Sequence, residues 1–161
     1  MKAVGASALG HLADLGPLCM RVGVGAVFAV HGWQKFDTIG VSNFAKFLDS
    51  LNVPAPETVA WLQTIAEGIG GLLLIAGLMT RLVTLPLIGI LIGAILLVKV
   101  DVGFVVGDAT GAELETGLLA GLLGLLFIGP GRLSLDGAFG METAVAPVGA
   151  RRVVTPEPER T

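Results

Sequence analysis

Charged side chains are scarce in this sequence, where Asp, Glu, Lys and Arg make up 14% of 161 residues and hydrophobic residues make up 53%. A chain of this length cannot bury so many apolar side chains in one water-soluble core. The net charge of -3 gives no basic surface for nucleic acid, so no nucleic-acid partner is expected. The composition indicates an integral membrane protein whose hydrophobic surface is partly covered by the lipid bilayer.

Cysteine is almost absent, because Cys19 is the only one. An internal disulfide and a Cys-x-x-Cys pair for dithiol exchange are therefore excluded. The sequence also has no His-x-x-x-His, no His-Glu-x-x-His and no cysteine cluster, so no metal site is expected. Any thiol chemistry must come from a partner protein.

Long apolar stretches indicate the membrane spans, each of which needs about 20 residues of low polarity. Three stretches qualify, and a fourth is shorter: 16–36, 59–79, 82 to about 98, and 114–128. Gly129-Pro130-Gly131 stops the fourth stretch. Thr80-Arg81 predicts a tight hairpin between the second and third spans, with Pro86 in the first turn of the third helix.

The predicted fold class is all-α: an integral membrane four-helix bundle with a short interfacial amphipathic helix between helices 1 and 2. Phe44, Phe47, Leu48 and Leu51 form the apolar face of that short helix. It either covers a site as a lid or only packs at the interface. Residues 1–139 are expected to form the transmembrane domain, and residues 140–161 a disordered cytoplasmic tail.

The distribution of Lys and Arg predicts the orientation. One side carries Lys2, Arg21, Arg81, Arg132, Arg151, Arg152 and Arg160, and the other carries Lys35, Lys46 and Lys99. The positive-inside rule then places both termini in the cytoplasm. A cleavable signal peptide ending near Ala29 is the competing interpretation, and Arg21 inside the apolar run argues against it.

Ionisable residues at membrane depth need partners inside the bundle. Arg21, Gly25, Phe28, Gly32 and Lys35 share one stripe of the first helix, which we expect to face inward. On the second helix, Glu67 falls near the middle of the span. Antiparallel alignment of the two spans places Glu67 at the depth of Ala26 and predicts an Arg21–Glu67 ion pair. The pair serves either as a lock between two helices or as part of a functional site.

Further polar residues are predicted at one end of the same bundle. Gln63 lies near the depth of Phe28 to His31, where His31 either anchors the interface or takes part in a site. Glu115 either joins His31, Gln63 and Lys35 in a polar pocket or only caps the first turn of the fourth helix.

Three motifs resemble the DoxX family over about residues 15–137. They are Arg21 with Gly25, Phe28 and His31-Gly32-Trp33-Gln34-Lys35; Glu67-Gly68-Ile69-Gly70-Gly71 with Gly77-Leu78-Met79-Thr80-Arg81; and Gly129-Pro130-Gly131-Arg132-Leu133-Ser134-Leu135-Asp136. The resemblance implies a four-helix protein of the bacterial plasma membrane. It also implies kinship with subunits of an archaeal thiosulfate:quinone oxidoreductase and with proteins of oxidative-stress and thiol-handling complexes.

The leading functional hypothesis is a membrane subunit of a redox assembly. In it the bundle contacts a quinone as cofactor, and soluble or membrane redox proteins carry out the thiol, thiosulfate or oxygen chemistry. The candidate proton-relay or quinone-contacting residues are Arg21, Phe28, His31, Gln63, Glu67 and Glu115. The alternative is a non-catalytic scaffold that docks soluble enzymes through 132–136 and the tail. A small-solute carrier ranks lowest, because four short spans leave little room for alternating access. Homo-oligomerisation and activity of the chain alone stay open.

Overall fold

The protein is helical wherever the structure describes it. The computed structural model describes residues 15–100, 102–105 and 111–141, and every regular element in these ranges is a helix. The helices are α1 (Leu15–Trp33), α2 (Val41–Ser50), α3 (Pro56–Ala76), α4 (Thr80–Ala94), α5 (Glu113–Ile128) and α6 (Leu135–Ala138). A π-helical turn extends α1 through Gln34–Thr38 and another extends α4 through Ile95–Lys99. The all-α prediction is confirmed for these residues; the predicted tail lies outside them except for residues 140 and 141.

Among the described residues, three helices are long and apolar enough to cross a membrane, judged by length and composition: Leu15–Thr38, Pro56–Ala76 and Thr80–Lys99. They correspond to the first three predicted spans, with ends that differ by a few residues. The helix α5 has 16 residues and packs against α1 and α4. At ~1.5 Å per residue, α5 is about 24 Å long, somewhat less than the ~30 Å hydrocarbon core of a bilayer.

The turn between α3 and α4 lies at Gly77–Met79, earlier in the chain than predicted. The Gly77 N–H donates to the Leu74 carbonyl and the Leu78 N–H to the Leu73 carbonyl, each at 3.0 Å. With Gly77 at φ 69°, this pattern is a Schellman motif that ends α3. The next helix therefore begins at Thr80. Pro86 consequently lies inside α4, and its predicted place in the first turn was wrong.

Glycines set the packing of α1 against α3. A Cβ on Gly32 would lie 2.5 Å from the Cα of Gly68, and a Cβ on Gly71 would lie 2.6 Å from the carbonyl oxygen of Gly25. Real side chains do not tolerate such distances, so the two backbones touch at both levels. Close backbone approach through small residues is typical of helix pairs in membranes.

Two apolar clusters complete the fold. The larger one joins α1, α3, α4 and α5 and consists of Val24, Phe28, Leu74, Val83, Leu87, Leu91, Leu118, Leu122 and Leu125. The smaller one seats α2 on α3 through Val41, Phe44, Ala45, Leu48 and Ala60. Phe47, predicted on the apolar face of α2, is 45% exposed. An amphipathic helix is therefore present between α1 and α3, and its packing on α3 leaves Phe47 at the edge of the apolar face.

Candidate functional site

A cavity of about 540 Å³ lies between α1, α2, α3, α4 and α5. Five of the six candidate site residues line it: Phe28, His31, Gln63, Glu67 and Glu115. The remaining wall is mainly apolar and includes Phe44, Leu48, Leu62, Pro86, Ile90, Leu97 and Leu118. The cavity therefore lies at the end of the helix arrangement where α2 packs on α3. The cavity is thus an apolar chamber with a small polar group of side chains on its wall.

The centre of that polar group is a Lys35–Glu67 ion pair. The Lys35 Nζ lies 2.6 Å from both carboxylate oxygens of Glu67, and the two side chains are only 13% and 4% exposed. The Gln63 Nε2 donates to Glu67 Oε1 at 3.3 Å, and the ring of Phe44 lies 4.5 Å below the ammonium. Both oxygens of Glu67 are therefore occupied by donors. The aromatic ring adds a cation–π contact to Lys35.

A second ion pair at the cavity joins Lys99 to the lining residue Glu115. The Lys99 Nζ is 3.8 Å from Glu115 Oε1, which is an ion pair but too long for a hydrogen bond. Both lysines stand in the π-helical turns that end their helices, Lys35 after α1 and Lys99 after α4. A π-turn carries an extra residue and so changes the direction in which the following side chains project. Each turn directs its lysine towards an acid on the cavity wall.

The predicted Arg21–Glu67 pair is wrong. A Cβ on Gly32 would lie 3.0 Å from the carbonyl carbon of Glu67, so Glu67 stands level with Gly32 and not with Ala26. This difference of six residues shifts the register by about 9 Å. The prediction aligned the midpoints of the two apolar stretches. The connection from α1 to α3 contains a π-helical turn and α2, so the sequence does not determine how far one helix is shifted along the other. Lys35, already placed on the inward stripe, takes the position assigned to Arg21.

Arg21 instead lies at the other end of the bundle and does not line the cavity. Its guanidinium donates to the carbonyls of Leu74 at 3.5 Å, Ile75 at 3.3 Å and Leu133, and the residue is 1% exposed. Backbone carbonyls at the C-terminal end of a helix carry partial negative charge and suit a cation. Arg21 therefore ties α1 to the end of α3 and to the segment after α5.

No structural role was predicted for Asp136, which lies in the same part of the protein as Arg21. Its carboxylate accepts the Met79 N–H at 2.7 Å and the Thr80 N–H at 2.9 Å, and its own N–H donates to the Gly77 carbonyl at 2.8 Å. Asp136 is fully buried. An acid at these donors caps the first turn of α4. We call Arg21, Gly77, Thr80, Ser134 and Asp136 the Arg21–Asp136 cluster.

The cluster bears on the third motif, whose residues 132–136 dock soluble enzymes in the alternative scaffold hypothesis. Asp136 and Ser134 are buried, and the Ser134 hydroxyl caps α6 by accepting the Gly137 N–H at 3.0 Å. The signal in the sequence was the pattern Ser-x-x-Gly with an acid beside it, directly after a helix stop. Of this segment, Arg132, Leu133 and Leu135 remain at the surface.

Glu115 stands in the first turn of α5 and also lines the cavity with His31, Lys35 and Gln63. His31 is exposed and borders the cavity. Within the described ranges no three His, Cys, Asp or Glu side chains lie together as metal ligands would.

In the part of the chain that the structure describes, every regular element is a helix and three of the helices are candidate membrane spans. A family model for DoxX matches residues 16–100, a range that includes the first two motifs and ends before the third. The chain is 37% identical over 131 residues to "Uncharacterized membrane protein Rv3486" of Mycobacterium tuberculosis, covering 74% of this chain and 78% of that one. It is 36% identical over 123 residues to "Putative oxidoreductase CatD" of Bacillus subtilis, covering 76% and 86%. No solved structure matches it. The chain belongs to the DoxX family.

Proposed function

We propose that this protein is a membrane subunit of a redox assembly and that it binds a quinone in the cavity beside Lys35 and Glu67. Electrons are exchanged with a soluble or membrane redox protein, because the chain contributes only one cysteine and no dithiol pair. The printed name of the Bacillus subtilis relative, "Putative oxidoreductase CatD", agrees with this class of function.

The cavity is the observation that carries the proposal. Pockets for small organic ligands are usually ~300–1,000 Å³, mostly apolar, and carry a few convergent polar groups. This cavity has about 540 Å³ and fits that description. A quinone ring would pack against Phe28, and its carbonyls would accept hydrogen bonds from His31 and Gln63. The isoprenoid tail would follow the apolar wall towards the lipid.

The proposed arrangement in the plasma membrane has four spans, with α5 as the fourth. It buries Leu118, Leu122 and Leu125 in the common core, as a spanning neighbour of α1 and α4 does. The helix α2 lies on the outer surface and roofs the cavity. The end with Arg21, Arg81 and Arg132 faces the cytoplasm, as do both termini, because positive charge favours that side.

The test fills the cavity without disturbing the fold. A Cβ on Gly93 meets nothing within 4 Å, and Gly93 lines the cavity, so Gly93→Leu places its side chain in the ligand space. Gly117 also has open space around its Cβ but does not line the cavity, which makes Gly117→Leu the matched control. We expect Gly93→Leu to weaken binding of a short-chain ubiquinone analogue about tenfold or more, with the unfolding temperature unchanged.

Two further variants address the polar contacts. His31→Ala and Gln63→Ala should each lower quinone affinity more than they lower thermal stability in the same detergent. Unchanged affinity in these two and in Gly93→Leu would reject the quinone site. In that case the non-catalytic scaffold becomes the better description of the protein.

A further inference from the structure

The two acids on the cavity wall differ in how well their oxygens are satisfied. Glu67 accepts from Lys35 through both oxygens and from Gln63 through one. Among the residues that the structure describes, Glu115 has no hydrogen-bond donor: its Oε1 lies 3.8 Å from the Lys99 Nζ, and its Oε2 is buried without a hydrogen-bond partner. A buried acceptor without a donor is costly, and the large majority of such groups in proteins are hydrogen-bonded.

The surroundings of Glu115 show where a donor can come from. Its side chain is 17% exposed and lines the cavity, whose remaining wall is largely apolar. The last torsion of a glutamate is soft, so the carboxylate turns easily towards a donor that enters the cavity. A carboxylate only accepts hydrogen bonds. The group that satisfies Glu115 must therefore carry an O–H or N–H.

We infer that the cavity prefers a lipophilic phenol or hydroquinol, whose hydroxyl donates to Glu115, over the corresponding quinone or ether. This inference rests on the proposed function, because it takes the cavity as the ligand site and names the form of ligand that fits it. A quinone carbonyl offers only acceptor oxygens and leaves Glu115 unsatisfied. A hydroxyl in the same position supplies the missing donor, in a charge-assisted bond that is stronger than a neutral one.

A matched pair of ligands isolates this single hydrogen bond without any redox step. The probes are a long-chain 4-alkylphenol and its O-methyl ether, titrated into the purified full-length protein in one detergent. The phenol should bind about tenfold or more tightly than the ether, the range expected of a hydrogen bond to a charged group. Both ligands also partition into detergent micelles. The measured affinities are corrected with the same titrations into detergent without protein.

Variants of Glu115 and Glu113 test whether Glu115 causes the difference in affinity between phenol and ether. Glu115→Met removes the acceptor and should bring the phenol-to-ether affinity ratio close to one. Glu115→Gln keeps the shape and a neutral acceptor, should reduce the ratio severalfold, and decides the question if the methionine variant does not fold. Glu113→Gln is the control, because Glu113 has the same charge, lies two residues away, is exposed and does not line the cavity. It should leave the ratio unchanged.

The outcomes separate this inference from the proposed function. If phenol and ether bind equally well, the role of Glu115 is overturned. If Gly93→Leu weakens the binding of both, the cavity remains the ligand site. A ratio that stays the same in Glu115→Gln would also overturn it. Absence of binding by both probes and by the quinone analogue would overturn the ligand site itself.

Discussion

The backbone nitrogen of Thr80 donates a hydrogen bond to the Oδ2 of Asp136 at 2.9 Å. The segment that follows α5 therefore caps the first turn of α4. These residues are 56 positions apart in the chain. The contact closes one end of the helix arrangement, beside the Arg21 guanidinium. Stability at this end therefore depends on side chains that the cavity does not use.

Loss of the Asp136 carboxylate should destabilise the protein without affecting ligand binding. Asp136→Ala leaves the N–H groups of Met79 and Thr80 without their acceptor, and loss of the buried Thr80 hydrogen bond alone is expected to cost about 1–3 kcal/mol. Asp136→Asn keeps one acceptor oxygen and should cost less. Unfolding in detergent measures the effect, with Asp49→Ala on the exposed face of α2 as the control. Equal stability of Asp136→Ala and Asp49→Ala would contradict the capping role.

A side chain at Gly77 should disrupt the Arg21–Asp136 cluster. Gly77 has a φ of 69°, and a Cβ there would overlap the Arg21 guanidinium. The backbone strain alone is about 1–3 kcal/mol for a non-glycine residue. Gly77→Ala should therefore lower the unfolding temperature, whereas Gly23→Ala, in open space on α1, should keep or raise it. Similar unfolding temperatures for the two variants would show that the cluster is not rigid.

The Lys35–Glu67 pair should show strong coupling in a double-mutant cycle. Glu67→Leu leaves the Lys35 ammonium buried without its counter-charge, which is expected to cost about 3–5 kcal/mol. Lys35→Met combined with Glu67→Leu removes both charges and should be less destabilising than Glu67→Leu alone. Lys46→Met, on the exposed face of α2, is the control for loss of a positive charge. Additive effects of the two single changes would mean that the charges do not interact.

The proposed orientation predicts the side from which reagents react. In a Cys19→Ser background, Asp49→Cys on α2 should react with a membrane-impermeant maleimide added to intact cells. A tag after Thr161 should resist protease added outside and be cleaved only after the membrane is opened. The reverse result in both assays would invert the orientation.

The sequence by itself determined the helical elements and their inward faces. Apolar runs of about 20 residues have few alternatives in a bilayer, because every backbone polar group must be bonded within the helix. The stripe with Arg21, Gly25, Phe28, Gly32 and Lys35 faces inward as predicted, because residues three and four apart share a helix face. Five of the six candidate site residues line one cavity.

Tertiary structure alone decided which charges pair. Arg21 and Lys35 share one stripe of α1. The helix face alone therefore allows either cation to pair with Glu67. The relative height of α1 and α3 is set by contact between Gly32 and Gly68 and between Gly25 and Gly71, and the α2 connection leaves that height undetermined in the sequence. Contact of these backbones brings Glu67 to Lys35 and leaves Arg21 to the carbonyls at the end of α3. The partners of Asp136 likewise follow from the fold, because its acceptor role depends on a helix that begins 56 residues earlier.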